Sequence, residues 1–361
     1  MPPIISSLIP LQEDFIPPSI VNREVERSEL NRFMEPLTRN EPQLYNLLVT
    51  GTIGVGKTVL TRFIVRELPS MSFYIRLTEA DDTFSKVLFK IITLMGLPIS
   101  PYTSSNLALL RFIQHFNERK VATLLVLDDF DKAPINAIRC ILHEISRGTN
   151  YCNLLIISRI PSALEELPPD TKSTLRCHEL PLKTYDKEQL LQILKQRANL
   201  ALRQGSYSDD ILEEIAKTAE LSGSAREAIE ILKISAVIAQ SLNCDKIKYE
   251  HIEYAIAEIE RKSLEETIRD LPIYHKLILQ LCTPNMQPYE EVYRKWRRKL
   301  ELMNLRPLSI YRFRDFVADL KRLDLVRPEI KGKGRGKGFS YYLYLSPSIA
   351  KIMEKLKLSK Q

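Results

Sequence analysis

The chain has 361 residues and a formal net charge of +7, with 44% hydrophobic and 27% charged residues, the balance of a globular protein of two or three domains. No run approaches the ~18 consecutive apolar residues that cross a bilayer, so neither a membrane span nor a membrane partner is expected. Five cysteines are scattered without a Cys-x-x-Cys pair, which argues against zinc and for reduced, buried thiols in a cytoplasmic chain. The charge is uneven: residues 291–361 hold 19 Lys/Arg and 7 Asp/Glu, a surplus of +12, and the remainder carries −5. The last fifth of the chain therefore points to a polyanionic partner, with a basic solubilising face as the plain alternative.

Residues 1–22 have no basic start followed by an apolar core, so they read as a flexible arm and not as a secretory leader. Residues 45–50 form a short apolar run that ends in a glycine-rich turn, the pattern of a buried strand. Helical periodicity over 58–67 follows, then a strand over 72–77, helices near 83–95 and 104–118, and a third strand over 121–127. A helix at 134–146, a fourth strand at 153–158 and a candidate fifth at 176–182 complete an alternating series. Leu/Ile/Val-rich strands alternating with helices imply a parallel sheet covered on both faces, an α/β fold. From 186 the pattern is helical only, near 186–203, 208–219, 224–240 and 247–262, which suggests a small bundle. The polar segment 262–270 before Leu271-Pro272 reads as a domain boundary. Three helices, a Gly/Lys turn at 331–338 and an alternating strand at 339–345 then make a winged helix. The domains expected are 1–185, 186–264 and 265–361.

Gly51-Thr-Ile-Gly-Val-Gly-Lys-Thr58 fits G-x-x-x-x-G-K-[ST] between a strand and a helix, the context a phosphate loop requires. Gly51, Gly54 and Gly56 let the backbone curl so that its N–H groups face phosphate oxygens, and the helix N-terminus adds partial positive charge. Lys57 is expected at the β/γ-phosphates and the Thr58 hydroxyl at Mg²⁺, with Gly54, Val55, Gly56, Lys57, Thr58 and Val59 contacting ATP or ADP. Leu124-Leu-Val-Leu-Asp-Asp-Phe-Asp131 supplies the acidic half of such a site, with Asp128 on the Mg²⁺ side and Asp129 placed to polarise water. Asp131 reads as a helix N-cap.

Together these residues resemble the archaeal initiators related to the eukaryotic origin recognition complex and cell division control ATPases, over about residues 15–350. The segment Val21-Asn-Arg-Glu-Val-Glu-Arg-Ser-Glu-Leu30 is similar to the family's helix ahead of the ATPase core, and the helix near 83–95 falls where the family has an insertion. Leu180-Pro-Leu-Lys-Thr-Tyr185 through Arg197 resembles a family segment that would bring Tyr185 and Arg197 near the nucleotide. Gly223-Ser-Ala-Arg226 is similar to the second-sensor motif, which would aim Arg226 at the γ-phosphate. The resemblance implies an AAA+ P-loop core with a helical lid and a C-terminal winged helix. Three positions depart from the family pattern. Asp129 stands where AAA+ enzymes usually have Glu, Ser158-Arg159 replaces the polar first sensor, and Asp170 occupies the usual arginine-finger position, with Lys172 and Arg176 as candidate substitutes. Asp is one methylene shorter than Glu, and misplacement by about 1 Å can cost ~10²-fold in rate, so an ATPase with slow or impaired hydrolysis is expected.

At the C-terminal end, 307–322 reads as a helix capped by Ser309, with Phe313, Phe316 or Val317, and Leu320 on its apolar face. Arg312 and Arg314 lie near its start, where a recognition helix meets base edges, and Tyr311 supports them. Lys331, Lys333, Arg335 and Lys337 alternate with glycines that allow close approach to DNA. A structural helix with ordinary exposed arginines is the alternative, and Trp296 reads as core. The reading is an ATP-switched, duplex-DNA-binding initiator in the nucleoid, with paralogous initiators or a replicative helicase as further partners. A transcriptional regulator of the same architecture and a DNA-dependent helicase loader are the competing readings.

Overall fold

The structure, a computed structural model, describes residues 2–41, 45–67, 72–100, 102–332, 339–346 and 349. It divides into two compact units, residues 1–255 and 256–361.

The first unit alternates helix and strand: α1 (Glu24–Thr38), β1 (Asn46–Thr50), α2 (Lys57–Val65), β2 (Ser72–Arg76), α3 (Phe84–Leu94), α4 (Ser105–Arg119), β3 (Thr123–Asp128), α5 (Ile135–Gly148), β4 (Cys152–Ile157), α6 (Pro169–Leu175) and β5 (Cys177–Pro181). The five strands pair in parallel in the order β2-β3-β4-β1-β5. Side chains of a strand alternate between faces, so a strand covered on both sides must be apolar throughout. On β3, Leu124 and Val126 pack with α1 and α2 residues such as Phe33, Leu60 and Phe63. Leu125 and Leu127 pack on the opposite side with Phe112, Ile138 and Ile141 of α4 and α5. This two-sided burial places the carboxyl ends of β1, β3 and β4 side by side, where open α/β sheets bind ligands.

The helical bundle follows as α7 (Lys187–Ala201), α8 (Asp209–Glu220), α9 (Ala225–Ser241) and α10 (Tyr249–Asp270). A capping box starts α7: the Asp186 carboxylate accepts the Gln189 amide and the Gln189 side chain accepts the Asp186 amide. The described residues of the amino-terminal segment, 2–22, are not the loose arm expected. Ser6 and Ser7 donate backbone hydrogen bonds to the Ala201 carbonyl, Arg203 donates to Ile4, and Ile4 and Leu11 are buried. The segment has no periodicity of its own, and its order comes from long-range pairing with α7. Segment 262–270 is likewise helical, as the second half of α10. Charges across its start are spaced for helix pairs, with Arg261 bridging Glu258 at 2.5 Å and also Glu265 one turn further on. The boundary between units falls within this helix, between Ala255 and Ile256.

The second unit continues with α11 (Ile273–Leu281), β6 (Gln287–Pro288), α12 (Tyr289–Leu302), α13 (Ile310–Arg322), β7 (Val326–Gly332) and β8 (Phe339–Leu345), with an antiparallel sheet of order β6-β8-β7. Three helices with this sheet are the winged-helix arrangement. Trp296 is fully buried among Phe313, Phe316 and Tyr274 and donates its indole N–H to the Tyr274 carbonyl at 3.1 Å, so it is core. Among the cysteines, Cys152 and Cys282 are buried but Cys140 is exposed, so the expectation of buried thiols holds only in part.

Candidate nucleotide site and nucleic-acid interface

Gly51, Gly54 and Gly56 have φ of +144°, +83° and +88°, backbone that L side chains rarely adopt. Space is equally restrictive: a Cβ on Gly54 would stand 1.9 Å from Ser224 Oγ, and one on Gly56 2.8 Å from the Tyr185 hydroxyl oxygen. The loop is thus closed against the bundle, and the Ala225 amide donates to the Gly54 carbonyl at 3.0 Å. Lys57 opens α2 and donates to the Gly51 and Thr52 carbonyls at 2.6 and 2.7 Å. Burial pushes its pKa below the usual lysine value, against the opposing pull of Asp128 and Asp131.

The Thr58 hydroxyl lies 3.0 Å from Asp128 Oδ2, which also accepts the Tyr74 hydroxyl; the Asp129 amide donates to Asp128 Oδ1 at 2.8 Å. Burial, then the Asp128 charge, raise the Tyr74 pKa well above the ordinary phenol range. Asp129 has left-handed backbone, φ +54°, and its Oδ2 accepts Arg76 Nε at 2.8 Å and Lys132 Nζ at 2.9 Å. Burial raises the Asp129 pKa, but the hydrogen bonds from Arg76 and Lys132 outweigh it and the net shift is downward.

Asp131 does not cap a helix. The N-cap of α5 is Pro134, and Asp131 instead accepts the Arg159 amide at 2.9 Å and its guanidinium at 2.5 Å. A carboxylate facing the end of β4 satisfies Arg159 better than it could reach a helix that starts four residues on. Burial raises the Asp131 pKa, and the Arg159 bonds reverse that and lower it.

Most of these groups, though not Gly51 or Tyr74, line a cleft of about 320 Å³ that also takes in residues from the amino-terminal segment and the bundle. Gly54, Gly56, Lys57, Thr58, Val59, Asp128, Asp129, Tyr185, Arg197 and Arg226 all line it; Val55 does not, being buried with the β1 and α2 side chains. Arg226 pairs with Glu13 at 2.9 Å, both side chains about half exposed. Arg197 is 5% exposed, donates to the Pro10 and Phe15 carbonyls, and stacks 4.8 Å from the Phe15 ring. Burial lowers its pKa to about 10. Asp170, Lys172 and Arg176 lie on or next to α6 and do not line the cleft.

Sequence reasoning passed over Arg23, Tyr74, Arg76 and Lys132. Arg23 is 4% exposed and stacks 4.1 Å from the Tyr185 ring, donating to the Tyr185 hydroxyl and to the Val55 and Lys183 carbonyls. Tyr74 and Arg76 stand two residues apart on β2 beside the Asp-rich end of β3, a period-2 pattern that was visible in the sequence.

Residues 43–167 match the family described as AAA domain, and residues 191–257 match the Cdc6 AAA+ ATPase-type lid domain. The chain is 28% identical to ORC1-type DNA replication protein 1 of Sulfolobus acidocaldarius over 343 residues, covering 90% of this chain and 86% of that one. It is also 28% identical to the ORC1-type DNA replication protein of Pyrococcus horikoshii, covering 90% and 83%. The chain thus resembles AAA+ proteins of the ORC1/Cdc6 type. Its fold agrees: the Aeropyrum pernix ORC1 protein in complex with DNA superposes with a TM-score of 0.76 at 24% identity, covering 99% of this chain and 98% of that one. Cdc6p of Pyrobaculum aerophilum gives 0.63 at 23% identity, with 99% of each chain covered.

In the winged helix, Ser309 caps α13 by accepting the Arg312 amide. Phe313, Val317 and Leu320 face the core; Arg312 and Arg314 are exposed, with Arg314 5.9 Å from the ring of the exposed Tyr311. Lys331, at the end of β7, is exposed, 3.8 Å from Glu329 and 5.9 Å from the Tyr342 ring. Lys333, Arg335 and Lys337 lie outside the described residues. No helix among the described residues is long and apolar enough to cross a membrane.

Proposed function

We propose that this chain is an ATP-binding replication initiator that recognises duplex DNA at origins in the nucleoid, with nucleotide setting its conformation and hydrolysis weak. The observation that carries the reading is the closure of the phosphate loop against the Ser224–Arg226 segment: a ligand on Gly54 to Thr58 cannot change without the bundle sensing it. The loop amides and Lys57 would hold the ATP phosphates, and Arg226 would reach them from the bundle on leaving Glu13. The Thr58 hydroxyl and the Asp128 carboxylate form an oxygen pair suited to Mg²⁺, which takes few protein ligands and otherwise keeps waters and phosphates. Mg²⁺ held there would neutralise phosphate charge. Weak hydrolysis follows from Asp129, which is short and already held by two cations.

DNA recognition rests on the surplus of +12 over 291–361, on exposed Arg312, Arg314 and Lys331, and on the DNA complex in which the Aeropyrum relative was solved. Lys333, Arg335 and Lys337 join them as phosphate or groove contacts. The names of the curated relatives favour replication over promoter control. Paralogous initiators and a replicative helicase are the further partners that this reading expects. Fluorescent ATP and ADP titrations, with labelled duplex DNA at salt from about 50 to 200 mM, test the reading. The expected result is tight nucleotide binding, DNA affinity that differs between ATP and ADP, and a loss of ~10³-fold or more across that salt range. Salt-independent DNA binding or no nucleotide binding would overturn it.

A further inference from the structure

We propose that Tyr74 is a positioning residue for the metal side of the nucleotide site, its phenol fixing the Asp128 carboxylate in the orientation that receives a divalent cation. The inference rests on the ATP-binding reading above. Tyr74 stands opposite Val126 across the β2–β3 pair, and Asp128 is the next β3 residue on the same face. Such a diagonal neighbour is within reach only of a long side chain, and the phenol spans it. The donors on Asp128 then divide. The Tyr74 hydroxyl and Thr58 share Oδ2, and the Asp129 amide takes Oδ1. A carboxylate with donors on both oxygens cannot rotate freely.

The Thr58 hydroxyl ligates a cation through a lone pair and can still donate its proton to Asp128, at 3.0 Å here. Tyr74 and the Asp129 amide hold the carboxylate without themselves facing the cation. Their neutrality matters, because an Arg or Lys on Asp128 would cancel the charge that attracts the metal. Here Arg76 and Lys132 go to Asp129 instead, and the Lys57 ammonium is bonded to the Gly51 and Thr52 carbonyls. The ring has its own support: the Arg62 guanidinium lies 5.1 Å from its centroid and Arg62 pairs with Asp14 at 3.7 Å. Phe at this position would keep that packing and lose only the hydroxyl, so the hydroxyl can be tested by itself.

The test is ADP affinity of the full chain and of Tyr74→Phe, each with Mg²⁺ and with EDTA, alongside Lys57→Ala and thermal melting of each protein. Loss of a hydrogen-bonded partner behind a metal ligand typically weakens metal binding 10- to 100-fold. The expected result is that Mg²⁺ tightens ADP binding to the unaltered chain about tenfold more than to Tyr74→Phe, with affinities in EDTA equal. Equal Mg²⁺ tightening in both proteins, or a Tyr74→Phe loss of the same size with and without metal, would overturn the assignment and leave the ATP site standing. If the unaltered chain binds no ADP, or Lys57→Ala binds it as well as the unaltered chain, the ATP reading fails and the Tyr74 role falls with it.

Discussion

The phosphate loop and α13, where we propose that nucleotide and DNA bind, both present cations, and they are built in opposite ways. Lys57 is 8% exposed, its ammonium is fixed by two carbonyls, and the glycines around it leave no room for a side-chain atom. Arg312 and Arg314 stand in solvent on a helix whose other face is core. A site of the first kind depends on geometry, so single atoms matter. A site of the second kind depends on accumulated charge, so its contributions are individually modest, nearly additive and screened by salt.

The largest effect that would break this contrast is at Lys57. Hydrogen bonds to a charged group are worth about 1.5–3 kcal/mol each, so Lys57→Ala is expected to weaken ATP and ADP binding by about 100-fold or more. Isothermal titration measures it, and an affinity within threefold of the unaltered chain would mean that the loop is not the phosphate site. Gly54→Ala comes next. Left-handed backbone at a non-glycine residue costs of order 1–3 kcal/mol, and the added Cβ also meets Ser224. The expected outcome is a lower melting temperature together with weaker nucleotide binding, because the loop can relieve the clash only by pushing the bundle segment away. On the DNA side, Arg312→Ala and Arg314→Ala are each expected to cost about 1–3 kcal/mol if the side chain reads a base edge. They should relax sequence preference and leave nucleotide affinity unchanged, as competition binding with altered duplexes would report. A loss equal for all duplexes would instead make them phosphate contacts.

How much of this was legible beforehand divides along similar lines. The α/β alternation, the phosphate loop and the Ser309 cap were readable because each is a local pattern: an apolar run, glycines at fixed spacing, a hydroxyl before a helix. Asp131 was misread for the same reason, since Asp shortly before a helix looks like a cap, whereas its partner Arg159 arrives from another strand. The amino-terminal segment looked loose because its order comes from α7, nearly 200 residues away in sequence. Segment 262–270 reads as a domain boundary because composition alone does not show that it continues α10, where Arg261 stands one helical turn from Glu258 and Glu265. Arg23 was on the page inside the initiator-like segment, but nothing local marks a residue that bonds the phosphate loop and the Lys183 carbonyl together.

The smallest expected effect lies between the two extremes, at Asp129, a half-buried carboxylate held by one exposed and one partly exposed cation. Its folded pKa is depressed, so the stability from its ion pairs is fully present above the unfolded-state value of about 3.9 and is lost as pH falls through the folded value. Asp129→Asn removes that dependence, and its melting temperature should fall less than that of the unaltered chain between neutral pH and about pH 3. The same pairing restrains the carboxylate from an attacking water. Arg76→Ala frees one side of it, and because exposed pairs are worth at most about 1 kcal/mol, single-turnover ATP hydrolysis should rise by no more than about fivefold. Asp129→Glu restores reach as well as freedom and should exceed Arg76→Ala. If neither variant is faster than the unaltered chain, the restraint on Asp129 is not what limits turnover, and Ser158-Arg159 at the end of β4 becomes the position to alter next.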